Sequence, residues 1–169
     1  MTSAVADAGP LIHLAEIRAC RLLNVFAQLH IPRAVELETI GQGRVSLDEL
    51  AVLNNLHWHQ TTLTGIGLTE FVQNHGLGNL QAGEQEALNL CLQLGVSILL
   101  TDDLAVREAA RRLNLIPVGS LGVIVRAYRS KWLTLAEAED HLNRLQVTSS
   151  LFVTSEIVKL AIEQLRQAD

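Results

Sequence analysis

Five acidic side chains have the type and placement to do chemistry: Asp7, Glu38, Glu84 and the adjacent pair Asp102 and Asp103. They are scattered along the chain, yet each falls where an apolar run ends or a helix begins. In a parallel α/β fold those edges meet near the carboxyl ends of the strands, where ligands bind. Carboxylates gathered there without a cationic partner repel one another and resist ionising together, unless a hard divalent cation neutralises them. Oxygen-only donors favour Mg²⁺ or Mn²⁺ over Zn²⁺. Taken singly, each has a plainer explanation: Asp7, Asp102 and Asp103 can cap helices, the helix dipole favours Glu84 in a first turn, and Glu38 can be a solvated helix residue.

Other reactive residue types make weaker constellations. In His57-x-His59 both rings share one face of a strand, but two ligands without a third read as a polar strand rather than a metal site. His13 reads as a packed or solvated helix residue. Cys20 and Cys91 lie in apolar helical patterns without a C-x-x-C or Cys/His cluster, as reduced core residues do. Gly76-Leu77-Gly78 lacks the further glycine of a phosphate-binding loop and reads as a turn, and there is no nucleophile elbow.

The elements that must position the carboxylates follow from the apolar periodicity. Ala4 to Ala6 reads as a strand ending at Asp7, with Gly9-Pro10 opening a helix. Leu22, Leu23, Phe26 and Leu29 recur at helical spacing, then His30-Ile31-Pro32 suits a brief strand before a helix carrying Val35, Glu38 and Thr39. Ser46 with Asp48 and Glu49 caps a helix expected over Leu47 to Leu56. Residues His57 to Thr62 alternate as an exposed edge strand, and Leu68 to Val72 reads as a short helix. Glu84 to Leu94 is a clear helix stopped by Gly95, followed by a buried strand, Val96 to Leu100. Thr101-Asp102-Asp103 then caps a helix over Leu104 to Leu113, and Ile116-Pro117-Val118 is a further strand. Three helices complete the chain, one from Ser120 to Arg129, one opened by the Thr134-x-x-Glu137 capping box, and one carrying Ile157, Leu160, Ala161 and Leu165.

The 169 residues form, on this reading, one domain over 1–169, with the helices of 134–169 packing on the rest; no repeat or linker divides the chain. The net charge of −5 argues against a broad basic surface for duplex nucleic acid, leaving room for a local rim from Arg107, Arg111, Arg112, Arg126, Arg129 and Lys131, although most of these suit solvated helix faces. No apolar run reaches the roughly 18 residues of a membrane span. The first residues carry no basic stretch or long apolar core of the secretory kind, so a cytoplasmic protein is expected.

In order along the chain, four segments resemble the acidic motifs of the PIN-domain family. V-A-D-A-G-P-L-I resembles its opening strand and first helix, and I-P-R-A-V-E-L-E its second acidic motif. A-G-E-Q-E-A-L-N-L-C-L-Q-L-G resembles the third, and I-L-L-T-D-D-L-A-V-R-E-A-A the fourth. The likeness is greatest to an uncharacterised prokaryotic subfamily opening with Asp-Ala-Ser-Pro-Leu-Ile. Each motif is only a carboxylate in a hydrophobic frame; four in order over nearly the whole chain are far more specific.

That resemblance implies a three-layer α/β/α fold around a central, mainly parallel sheet of about five short strands. It implies Asp7, Glu38, Glu84 and Asp103 as catalytic residues and ligands of Mg²⁺ or Mn²⁺, with Asp102 in reserve because Asp103 better completes Thr-x-Asp with Thr101. Glu86, about 200° of helix beyond Glu84, cannot face the same point. Thr101, Ser3 and Arg107 are candidates for positioning or substrate contact. Gly9 departs from the pattern, standing where the family usually has a small hydroxyl residue; Ser3 is the residue that could compensate. The implied activity is Mg²⁺-dependent hydrolysis of single-stranded RNA, as in toxins of the VapC type, with an antitoxin partner and a homodimer. The competing expectation is a binding or assembly module that keeps the acidic pocket but has lost effective hydrolysis.

Overall fold

The computed structural model describes residues 2–60 and 65–167. Five three-residue strands, β1 (Ala4–Ala6), β2 (Leu29–Ile31), β3 (Leu56–Trp58), β4 (Ile98–Leu100) and β5 (Ile116–Val118), pair in parallel in the order β3-β2-β1-β4-β5. Val5 is matched with His30 on one side and Leu99 on the other. The chain therefore runs outward from the central strand to β2 and β3, then returns to build β4 and β5 on the opposite side. The reversal opens a crevice between the ends of β1 and β4, the place where open parallel sheets bind ligands.

The strands are short but alternate strictly, and that alternation assigns the layers. Ala4, Ala6, Leu29, Ile31 and Leu100 face one apolar core, shared with α1 (Ala8–Glu16), α7 (Ser120–Arg129) and a 3₁₀ helix, Cys20–Val25. Val5 and Leu99 face a second, smaller core filled from α5 (Ala82–Leu94) and α6 (Leu104–Arg112) by Leu88, Cys91, Val106 and Ala110. A central sheet of five parallel strands with helices on both faces is the three-layer α/β/α architecture the sequence implies. The last two helices, α8 (Leu135–Val147) and α9 (Ser155–Gln167), send Leu142, Leu145, Val158 and Leu165 into the larger core.

Four local expectations are corrected. The helical spacing of Leu22 to Leu29 resolves into the 3₁₀ helix, while Leu29 belongs to β2. Leu22, Leu23 and Phe26 are all buried, and Asn55 Nδ2 donates to the carbonyls of Leu23 and Phe26, so side-chain bonds replace the fourth-residue ladder. The helix expected to Leu56 is a single turn, α3 (Leu47–Leu50), because Leu56 is taken into β3 opposite Leu29. β3 is an edge strand as expected but ends at Trp58; Thr61 and Thr62 of the expected strand lie outside the described residues. The short helix at Leu68 is longer, α4 (Gly65–His75). The remaining helix, α2 (Arg33–Thr39), starts after Pro32.

Cys20 and Cys91 are buried and unpaired, and burial pushes both thiols up to about 12, which leaves them protonated and inert. Among the described residues no helix is long and apolar enough to cross a membrane.

Candidate metal centre

Asp7 is built by the end of β1. Its backbone N–H still donates to Leu100 O at 2.9 Å, keeping it zipped to β4, while its Oδ1 accepts from Ala8 N at 2.8 Å as the cap of α1. Its Oδ2 accepts from the hydroxyl of Thr101, 3.0 Å away and fully buried; that same hydroxyl accepts from Asp103 N at 3.3 Å. Thr101 thus ties the two strand ends across the crevice and fixes the first and last carboxylates relative to each other. Asp7 is only 5% exposed. Burial pushes its carboxyl up to about 7; the Ala8 N–H and Thr101 hydroxyl oppose that rise, and the charges of Glu84 and Glu38 add to it.

Glu84 and Glu38 arrive from two helices packed at the same edge. Glu84 sits in the first turn of α5, where one oxygen accepts from Gln81 N at 2.8 Å. Burial raises its pKa, the Gln81 N–H lowers it, and the nearby charges of Asp103 and Glu38 raise it further. Glu38, in α2, makes no hydrogen bond or ion pair with a described residue. Its Oε2 lies over Gly83: a Cβ on that glycine would stand 3.0 Å from the oxygen and 3.3 Å from Val35 Cγ2. The missing side chain is what lets α2 close on α5 and set Glu38 beside Glu84. Glu86 faces elsewhere, its Oε2 accepting from Ala34 N at 2.9 Å and stapling α5 to the start of α2.

The adjacent aspartates diverge. Asp103 caps α6 through Oδ1, 3.0 Å from Val106 N, and is exposed. Asp102, the reserve ligand, is taken up by three donors: His13 Nδ1 at 2.7 Å, Ser120 N at 2.7 Å and Ser120 Oγ at 2.6 Å. Arg107 lies behind this group, donating to Thr101 O at 3.2 Å. Ser3 is not brought to the site. It precedes β1, roughly 13 Å of extended chain from Asp7, and its hydroxyl is directed at Gln28. The physical reason is polarity: Ser3 and Asp7 belong to opposite ends of one strand.

Asp7, Glu38, Glu84, Asp102 and Asp103 line one pocket of about 470 Å³. Among the described residues no three of these side chains converge to coordination distance, so closing on an ion requires side-chain rotation. The donor set fits Mg²⁺ or Mn²⁺ in kind. It is all oxygen, Asp7 is buried without a cation beside it, and Glu38 and the second oxygens of Glu84 and Asp103 are uncommitted. His13 and Arg44 also line the pocket, as does the loop Ser150 to Phe152. The residue patterns did not single these out. Gly9 and His13 do share one face of α1 next to its Asp7 cap, a local signal for His13. Arg44 and the 150–152 loop come in only through the tertiary fold.

Gly9 is open to a side chain. A Cβ there would sit 3.6 Å from Asp102 Cβ and 3.7 Å from Asp102 Oδ2, ordinary contact distances. Gly9→Ser is therefore expected to place a hydroxyl against the Asp102–His13 pair and to leave the melting temperature within about 2 °C of wild type, the range of neutral substitutions.

His57 and His59 face His30, which occupies the register position opposite His57 on β2. His30 Nδ1 is 2.8 Å from His59 Nε2, and the His30 and His57 rings are 5.1 Å apart. Burial, then the neighbouring His59 and His57, pulls His30 down to about 4, so this imidazole is neutral near pH 7. His30 and His59 are hydrogen-bonded and the His57 ring lies against His30, so the trio is a polar patch along β3 and β2.

The chain matches the family profile described as PIN domain over residues 3–167. A comparison with curated proteins gave no match.

Proposed function

Because this chain belongs to the PIN-domain family, whose fold is of nuclease type and whose members typically use divalent metals, we propose that it is a Mg²⁺- or Mn²⁺-dependent endoribonuclease acting on single-stranded RNA. The observation that carries the reading is that Asp7, Glu38, Glu84 and Asp103 line one pocket at the crevice between β1 and β4. These four would hold the metal. When bound there, the ion supplies a water of lowered pKa and neutralises charge developing on a phosphodiester. Thr101 holds Asp7 and Asp103 in register, and the cap bonds to Ala8, Gln81 and Val106 restrict where each carboxylate points. Asp102 acts through others: it fixes His13 in the wall of the pocket and ties the first turn of α7 behind it. Arg44, on the same wall, is placed to meet a phosphate oxygen.

The test is cleavage of an unstructured RNA in Mg²⁺ by the wild type beside Glu84→Gln. The amide keeps an oxygen for the Gln81 N–H, so the helix start survives while a charge is lost. Cleavage should fall by roughly 100-fold or more, the scale of losing part of a metal's electrostatic stabilisation. Equal cleavage by both proteins would point to a contaminating nuclease and sink the reading. Mg²⁺ binding without any cleavage would leave a non-catalytic PIN module. Restraint by an antitoxin and assembly as a homodimer belong to the same proposal; their support is the family resemblance, and co-purification with the product of a neighbouring reading frame tests the first.

A further inference from the structure

A second cleft of about 700 Å³ adjoins the acidic pocket, in the size range of ligand sites. The two share Asp102, Leu104, Leu151 and Phe152 in their walls, so they form one continuous depression. Their chemistry is opposite. The acidic pocket gathers carboxylates, whereas the second cleft joins an apolar wall to Arg107, Arg126 and Arg129, with Asp102 its one acidic residue; Arg126 is itself taken up by the Thr2 hydroxyl and the Phe26 ring. Arg129 is exposed and forms no ion pair with a described residue.

At the junction stands Phe152, 93% exposed. Its exposure is not that of a frayed loop. Leu151 and Val153 on either side are half-buried against the larger core, so the extended chain turns Phe152 outward by alternation. The loop is also pinned to α1: Ser150 N and Ser150 Oγ both donate to Glu16, at 2.7 and 2.6 Å. An aromatic side chain on an anchored backbone, presented to solvent at the mouth of an acidic pocket and beside arginines, has the ingredients of single-strand binding: a stacking platform and a cationic track for the backbone.

We propose that this cleft is the docking track for the RNA strand flanking the cut phosphodiester, with Phe152 stacking a base and Arg107 and Arg129 contacting phosphates. The inference rests on the nuclease reading for its substrate. Charge complementarity favours a polyanion over an apolar protein segment, which would bury the Arg129 guanidinium without an anion. On a protein of net charge −5, a local cationic cleft running into the acidic centre also gives the strand one way in.

The test measures fluorescence anisotropy of a short labelled polyadenylate on an Asp7→Asn background, and cleavage of the same RNA in the otherwise wild-type protein. Phe152→Ala should weaken binding roughly 5- to 150-fold. Phe152→Leu should behave like the alanine variant, because it keeps apolar area and loses the π face; Phe152→Trp should bind like the parent. Arg129→Gln should reduce the slope of log affinity against log salt by roughly 0.7. Trp132→Ala, an exposed aromatic outside the cleft, should change nothing. Phe152 is so exposed that its truncation cannot unfold the protein, and a melting curve verifies this.

If the wild type cleaves, Glu84→Gln does not, and the Phe152 and Arg129 variants bind and cut like their parents, the track is overturned and the nuclease stands. Phe152-dependent binding without cleavage overturns the nuclease and keeps the track. Failure of the parent to bind, or a Phe152 effect confined to self-association in sedimentation, overturns the track.

Discussion

Replacing Asp7 by Asn is expected to abolish metal-dependent cleavage, by about 100-fold or more, while making the metal-free protein more stable above neutral pH. Both effects have one cause. Asp7 is buried, and its carboxyl titrates at about 7 in place of an ordinary 3.8. Between about pH 4 and pH 7 the folded protein holds a proton that the unfolded chain has released. The folded state binds more protons there, so stability falls as pH rises through that window and levels off above about 7. At roughly 1.4 kcal/mol per unit, the loss is on the order of a few kcal/mol. The amide carries no charge to bury. Its oxygen can still accept from Ala8 N, and its NH₂ can donate to the Thr101 hydroxyl oxygen.

The difference in stability between wild type and Asp7→Asn, measured by thermal melts in chelator from pH 4 to pH 8, should therefore grow with pH and then flatten. Using the difference cancels the titration of other groups, His30 among them. Added Mg²⁺ should narrow the gap. An ion present at 100 times its dissociation constant stabilises the wild type by about 2.7 kcal/mol, and the variant should gain far less. Parallel pH curves for the two proteins would mean that Asp7 is not a buried charge awaiting a cation.

The second large effect separates the two neighbouring aspartates. Asp102→Ala should lower stability by about 2–4 kcal/mol, or roughly 5–15 °C for a chain of this size, because it strands the fully buried Ser120 hydroxyl, the N–H that opens α7, and His13. Asp103→Asn should leave stability within about 0.5 kcal/mol, since Asn caps a helix as well as Asp, yet should cut Mg²⁺ affinity and cleavage by at least about 10-fold, and so shrink the Mg²⁺-induced stabilisation by about 1.4 kcal/mol or more. Melting temperatures with and without Mg²⁺ distinguish them. If Asp102→Ala removes the Mg²⁺ effect from a protein that still folds, and Asp103→Asn does not, the roles are exchanged.

The contrast between these neighbours marks how far local pattern reaches. Both follow a buried strand and precede a helix, and either can cap it. Only the approach of α1 and α7 shows that three donors claim Asp102 and leave Asp103 outward. Likewise, Glu84 and Glu86 separate by helical phase alone, but which lies beside Glu38 depends on α2 closing over Gly83. Ser3 fails for the opposite reason: its type was suitable, and the direction of β1 carries it away.

The order of elements around the site, the parallel α/β class and the four-motif likeness to the PIN-domain family are all legible along the chain. Strand alternation, helix caps and stop signals are local, and they recur whatever the chain does elsewhere. The sheet order that makes a crevice of β1 and β4, the capture of Asp102 by His13 and Ser120, and the arrival of Arg44 and Phe152 at the pocket emerge only in the packed fold. Those depend on residues far apart in the chain sharing one volume, and burial, which lifts Asp7 to about 7, is a property of that volume rather than of the residue.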